Sequence, residues 1–508
     1  MQERAFGIEV EYSVACQDKD SSFCTEFSYN THSSLYPAEF LLNAVHLLDS
    51  APEKLKSLNW YPKTKTSHYW LGSNGARLYF DNSAKFPEYA TPECASPKEV
   101  LIHSLAGDGI MEDLRQEVLR QNMLKKQYDG RFKDIFVFKM NTHFAQTKET
   151  IQATGCHENY LTLQEFEKLK NGNNSGLGTD EFCDFLVPFL MSRQILDGAG
   201  GIYWSQTDGW QYIISQRAFF IDTKTGTLTV GNFGRGFIHF RSSKPDQSPA
   251  GKVRLHLHCG DITMSPIGKY IAVGATHLVL RAFEEGDRSR WKHRLSPESL
   301  VYDFQKVSAD PALTAKIRLT GDWGLKERQF SAIELQKKYI DYVTSSIKNF
   351  SEDERVSLKA WTAMVEKLDK NPMEASRELD WLIKLRYLKE NLGGNFASPK
   401  ARFASALYHD NSARGLYNKL LQNGRVDIFA NQEEVTAARM KAPRTRAEFR
   451  SRHIKTILNL DESFMTFTDW GTFFGIDGPI LIPHPMDKTI EEGETALKKL
   501  EKLASRKK

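Results

Sequence analysis

Between Gly75 and Tyr89 the chain reads GARLYFDNSAKFPEY, and its strict alternation of charged with apolar residues admits few folds. A β-strand repeats every two residues, so Arg77, Tyr79 and Asp81 share one face while Ala76, Leu78 and Phe80 point the other way. The N-terminal GIEVEY does the same with Glu9 and Glu11 against Ile8, Val10 and Tyr12. VRLHLHCGD does it again, setting Arg254, His256 and His258 against Leu255 and Leu257. The apolar faces require a core, and the polar faces require water, a metal or a ligand to offset their desolvation. Three such strands predict a curved sheet whose concave face is a polar site.

A single charged strand face is ordinarily a solvated one; three in one chain are a different matter. Two carboxylates two residues apart repel each other, and a divalent cation turns that repulsion into attraction. Glutamate oxygens with one or two histidines predict Mg or Mn rather than zinc, because no run of Cys or His has zinc-site spacing. A net charge of +4 over 508 residues is too small to indicate nucleic acid, and no basic segment is interleaved with aromatics as a single-strand channel requires. Six scattered cysteines without a CxxC fit reduced thiols in a cytoplasm. The opening MQERAFGIEVEY has no signal-peptide pattern, and no apolar run approaches the ~18 residues of a membrane span, so a cytoplasmic protein is expected.

Strands are expected near 6–12, 75–81, 134–141, 211–222, 227–231, 236–241 and 253–259, with helices at 37–49, 97–121 and 182–196. After Pro266 the spacing turns helical, over 268–285, 331–349, 353–369 and 373–392. The class is α+β, with the sheet early and the helices late. Residues 13–71 read as a long connection between the first two polar strands, and 171–178 (NGNNSGLG) as a loop without a phosphate-loop lysine. A large domain over 1–424, sheet-rich to 265 and helical from 266, is expected to precede a small C-terminal domain over 425–508.

GIEVEY, NGARLYFD, PEYATPEC, GCHENYL, PFLMSRQ, SQRA, RLHLHCGD, ELDWLIKLR, YHD with RGLYNKL, and FTDW follow one another in this chain. In kind and order they resemble the motifs of the Pup ligase and depupylase family, and the resemblance runs nearly end to end. It implies a glutamine synthetase-like large domain, a curved antiparallel sheet packed by helices, and a small C-terminal domain. It also implies ATP and Mg2+ as cofactors and a Pup-like protein, or a small carboxylate or amine, as substrate. Position by position, it implies that Glu9, Tyr79 and Glu88 hold one magnesium and that Glu11, His157 and His256 belong to the second-metal side. Arg77, Thr91, Arg254 and Trp470 would contact ATP, with Arg241 beside the transferring group and Asp81 as catalytic base.

The chain departs from the family pattern in two places. Before the RLH strand the family reads roughly NTRDEPHA, whereas here HFRSSKPDQ keeps Arg241 and loses the acidic residue and the histidine; the family's KNN followed by Asp is KMNTH at 139–143. By the resemblance, these changes fall on the part of the site nearer the γ-phosphate and the acceptor. The leading expectation is phosphoryl transfer to a carboxylate followed by amine attack. Hydrolysis of an amide or isopeptide, phosphotransfer to a small acceptor, and nucleotide binding without chemistry are the alternatives.

Overall fold

In the computed structural model, residues 4–24, 27–28, 34–49, 60–62, 69–81, 86–126, 130–142, 153–162, 177–226, 234–241, 252–296, 300–321, 327–460 and 462–506 are described. The three alternating segments all become strands of one nine-stranded sheet. Its order is Thr223–Thr225, Gly236–Arg241, Arg254–Gly260, Cys156–Leu161, Phe6–Glu11, Phe86–Ala90, Arg77–Asp81, Tyr69–Gly72 and Trp60–Pro62. Every pairing is antiparallel, as expected, except that of the edge strand Thr223–Thr225 with Gly236–Arg241, which is parallel.

The faces divide as the two-residue period requires. Ile8, Val10, Leu78, Phe80, Leu255 and Leu257 are all buried in one continuous core. Helices Pro97–Arg120, Leu177–Asp197 and Pro266–Glu285 cover that face. The first begins where Ser96 Oγ accepts from Glu99 N at 3.2 Å and Pro97 occupies the first turn, which satisfies one exposed donor and lacks another. Helices Ala332–Ser346 and Glu352–Lys370 open on capping boxes, Ser331 with Glu334 and Ser351 with Glu354. Glu158 points into this core from the middle of the sheet. It takes a forked contact from Arg193 at 2.7 and 2.9 Å, the Tyr160 hydroxyl at 2.6 Å and Lys269 at 3.4 Å. Burial alone would raise its pKa, but the two cations outweigh burial and hold it at about 2.

Some expected elements differ. Within residues 13–71 the helix expected over 37–49 is present as Ala38–Asp49, but the segment is no plain connection, because Ser13–Asp18 pairs with Phe132–Phe138 in a separate three-stranded sheet. The strand expected over 211–222 is Gly209–Ile213 followed by a short turn of helix at Arg217–Phe219, because Asp261 accepts the backbone N–H groups of Gln216 and Arg217 and bends the chain there. The helix expected over 373–392 divides into Pro372–Ala375 and Asp380–Leu392. The expectations for 227–231 and most of 171–178 fall outside the described residues.

Towards the C-terminus, Ile454, Ile457, Leu460, Met465 and Leu500 pack on Leu71 of the main sheet, while Phe449, Phe473, Ile480, Ile482 and Leu497 form a second small core. Arg450 ties this part to the sheet by donating to the Gly75 carbonyl at 2.7 and 3.0 Å. All six cysteines are free. Among the described residues no helix is long and apolar enough to cross a membrane.

Candidate active site

The polar face of the sheet gathers the charged residues because adjacent strands bring like faces together. Glu9 stands opposite His157 on one neighbouring strand, Glu11 opposite Glu88 on the other, and Glu88 in turn opposite Tyr79. One donor atom each from Glu9, Glu88 and His157 lies within 4.8 Å of the other two. The Tyr79 hydroxyl donates to Glu88 Oε1. His256 Nε2 is 3.0 Å from Glu9 Oε2, and His157 Nδ1 is 3.6 Å from the same oxygen. Two carboxylates and an imidazole converging in this way fit a divalent cation with mainly oxygen ligands. Glu11 turns aside from this trio: its Oε2 accepts from Gly155 N at 2.6 Å.

Beside the cluster opens a cleft of ≈ 550 Å³, its mouth included. Thr91, Arg254, Asn159, Glu93, Arg446 and Trp470 are among the residues that line it, as is Glu9. Thr91 Oγ1 accepts from Ile8 N at 3.0 Å, and Arg254 Nη1 donates to Asn159 at 2.6 Å while standing 3.7 Å from Glu9 Oε1. The Arg77 guanidinium packs 3.7 Å from the Trp470 ring centroid and pairs with Asp469 at 2.5 Å.

Electrostatics follow from burial and partners. Burial would raise the Glu9 pKa, yet the His256 and His157 rings and Arg254 hold the carboxyl well below its usual range. Burial pushes His256 down to about 4. Tyr79 is raised by burial and by Glu88, so it stays a hydroxyl donor. Arg217, lowered to about 10 by burial and by Arg235, faces Glu11 together with Arg235. Glu93 is held at about 2 against the effect of burial by Arg450 and Arg446.

Of the residues singled out from sequence, the site unites Glu9, Tyr79, Glu88, His157 and His256, with Arg77, Thr91, Arg254 and Trp470 around the cleft. Asp81 closes its strand opposite Phe86, and Arg241 pairs in register with Arg254; their side chains lie outside what is described. Sequence reasoning missed Asp469, although it sits in the FTDW motif, and missed Arg217 and Arg235, which only the fold brings to Glu11. It also missed His239, whose ring stacks on His258 at 3.9 Å. Its signal in the sequence was its place at the start of HFRSSKPDQ, and only the fold sets it opposite His256.

A family model described as Pup-ligase protein matches residues 4–473. The chain belongs to the Pup-ligase family. A depupylase from Acidothermus cellulolyticus is 32% identical over 393 residues, covering 75% of this chain and 70% of the relative. A Pup–protein ligase from Geodermatophilus obscurus is 30% identical over 483 residues, covering 92% and 93%. Among solved structures, the ligase PafA in complex with Pup superposes with a TM-score of 0.73 at 24% identity, covering 98% of this chain and 92% of that one. PafA in complex with ADP gives 0.69 at 22% identity, covering 94% and 96%. The expected α+β architecture is therefore the fold of this family.

Proposed function

We propose that this chain is an ATP-dependent ligase that joins the carboxylate of a Pup-like protein to an amine, forming an isopeptide bond. The observation that carries this reading is the convergence of Glu88 and His157 on Glu9, which also lines the cleft together with Thr91, Arg254 and Trp470. The depupylase relative matches at slightly higher identity and the ligase relative over more of the chain, so isopeptide hydrolysis is kept as the second reading.

In this reading Glu9, Tyr79 and Glu88 hold one magnesium, and Glu11, His157 and His256 serve the second-metal side. The metal would supply neutralisation of the phosphate oxygens. Trp470 and Thr91 seat the nucleotide, and residues 425–508 act as the small domain that presents Trp470. Arg77, Arg254 and Arg241 offset charge on the transferring phosphoryl group. The substrate carboxylate oxygen attacks the γ-phosphorus and ADP leaves. The resulting acyl phosphate is then attacked by a lysine amine, and phosphate departs. A lysine ammonium with an ordinary pKa of about 10.4 is no nucleophile at neutral pH, so Asp81 takes its proton.

Incubation with MgATP, a Pup-like protein ending in Glu and a lysine-bearing acceptor tests this. ADP, phosphate and a covalent adduct are expected in equal amounts. Release of acceptor from a preformed conjugate without adduct formation would favour the depupylase. ATP turnover without adduct would favour phosphotransfer to a small acceptor, and no turnover would leave nucleotide binding alone.

A further inference from the structure

Arg217 and Arg235 bring two guanidinium groups to one place with too little negative charge to balance them. Arg217, 2% exposed, donates Nε to the His258 carbonyl at 2.8 Å and Nη1 to the Thr154 carbonyl at 3.3 Å, both neutral acceptors. Arg235 is half-buried, and its backbone is fixed because Asp222 N and Thr223 N donate to its carbonyl at 3.0 and 3.2 Å. Its buried Nε meets no acceptor. Among the described residues neither guanidinium forms an ion pair within 4.0 Å. The charge of Arg235 acts on Arg217, and Glu11 is the counter-charge of both, with Asp261 and Asp222 further contributors. Glu11 is itself taken up by Gly155 N at 2.6 Å. The ligase reading gives neither arginine any work.

Their place on the sheet narrows what they can hold. The cleft is lined by Gly7, Asn159 and Arg254, whereas Arg217 grips Thr154 and His258 and faces Glu11, at the opposite ends of the same three strands. Glu9 and His157 stand opposite each other between those ends. Gly155 lets the far end close in: a Cβ there would stand 2.8 Å from His157 Nε2 and 3.1 Å from Arg217 Cζ, so imidazole and guanidinium share the space a side chain would fill. An anion on Arg217 therefore borders the metal cluster on the side away from the cleft. The two carboxyl carbons of one glutamate are joined by four C–C bonds of about 1.5 Å and lie roughly 5 Å apart when extended, a span that suits this spacing.

We propose, on the ligase reading, that Arg217 and Arg235 receive the second carboxylate of the substrate, the α-carboxylate of a chain that ends in glutamate, while its side-chain carboxylate reaches the metal cluster. A carboxylate offers two oxygens to the two guanidinium groups and turns their repulsion into shared attraction. The α-carboxylate is the one held here because Arg235 is the more open of the pair, and the polypeptide attached to Cα needs an exit to solvent. The side chain, two methylenes long, needs none.

The full-length protein, saturated with MgADP, is titrated with a peptide of the Pup-like C-terminus ending in Glu and with the same peptide as its C-terminal amide. Wild-type protein should bind the free acid ~10- to 150-fold more tightly, the worth of one charge-assisted hydrogen bond. Arg235→Gln should lose most of that preference by weakening the acid alone, and Arg235→Lys should keep part of it. MgATP affinity, measured without peptide, should be unchanged in both variants, which also reports that they fold. Equal binding of acid and amide by the wild type, or a preference that survives in Arg235→Gln, would overturn the assignment, and adduct formation from the acid peptide would then leave the ligase reading standing. Weaker MgATP binding in Arg235→Gln would move the pair to the phosphates and overturn it as well. Failure of both peptides to bind the wild type would sink this assignment and the ligase reading together.

Discussion

The guanidinium of Arg77 lies 3.7 Å from the centre of the Trp470 ring, a contact between the main sheet and the C-terminal part of the chain. Asp469, the preceding residue, accepts from the same guanidinium at 2.5 Å. Arg450 stands 4.9 Å from the Trp470 ring and donates to the Trp470 carbonyl at 2.6 Å. One arginine from the sheet and one from the C-terminal helix therefore fix the indole at the wall of the cleft.

Trp470→Ala should weaken MgATP binding. Loss of an aromatic ring that stacks on a base costs about 1–3 kcal/mol, roughly a 5- to 150-fold fall in affinity, and Trp470→Phe should recover part of it. Calorimetric titration measures this, and unchanged affinity in Trp470→Ala would remove the residue from the nucleotide site.

Asp81→Asn should bind MgATP normally and lose transfer. A general base contributes about 10²- to 10⁴-fold, and the isosteric amide keeps the volume. Single-turnover formation of the adduct is the measurement. A wild-type rate would exclude Asp81 as base.

Glu158→Gln should destabilise the whole chain, because the two buried cations Arg193 and Lys269 would then share only the carboxylate of Asp197. Breaking such a network from one side costs about 3–5 kcal/mol. Chemical denaturation should show a lower midpoint at an unchanged slope. Replacing Glu158 and Arg193 together by apolar residues should cost less than the single change.

Acid should loosen the C-terminal part from the sheet. The Glu93 carboxyl is depressed from an ordinary 4.5 to about 2 by Arg450 and Arg446, against the effect of burial. The unfolded chain therefore binds the proton first, so this contribution is complete above about pH 4.5 and is lost as the pH falls to about 2. The difference corresponds to about 3 kcal/mol. Glu93→Gln should be less stable at neutral pH and should flatten the pH dependence in that window, read from unfolding midpoints. An equally steep dependence in the variant would assign the acid sensitivity elsewhere.

The local pattern of the chain was enough to place Glu9, Arg77, Tyr79, Arg254 and His256 on polar strand faces and Ile8, Val10, Leu78, Leu255 and Leu257 in the core, since the pleat alternates every two residues whatever lies next to it. Helix limits were legible for a similar reason: Ser96, Ser331 and Ser351 act on donors within their own first turn. Strand order was not legible. Only the folded sheet sets Cys156–Leu161 between Phe6–Glu11 and Arg254–Gly260, and that neighbour relation brings His157 to Glu9 and to His258. Likewise only tertiary packing carries Asp469 to Arg77 and turns Arg217 and Arg235 towards Glu11. Alternation is a property of one strand's own backbone, whereas the partner across a hydrogen-bonded ladder is chosen by the burial and closure of the whole sheet.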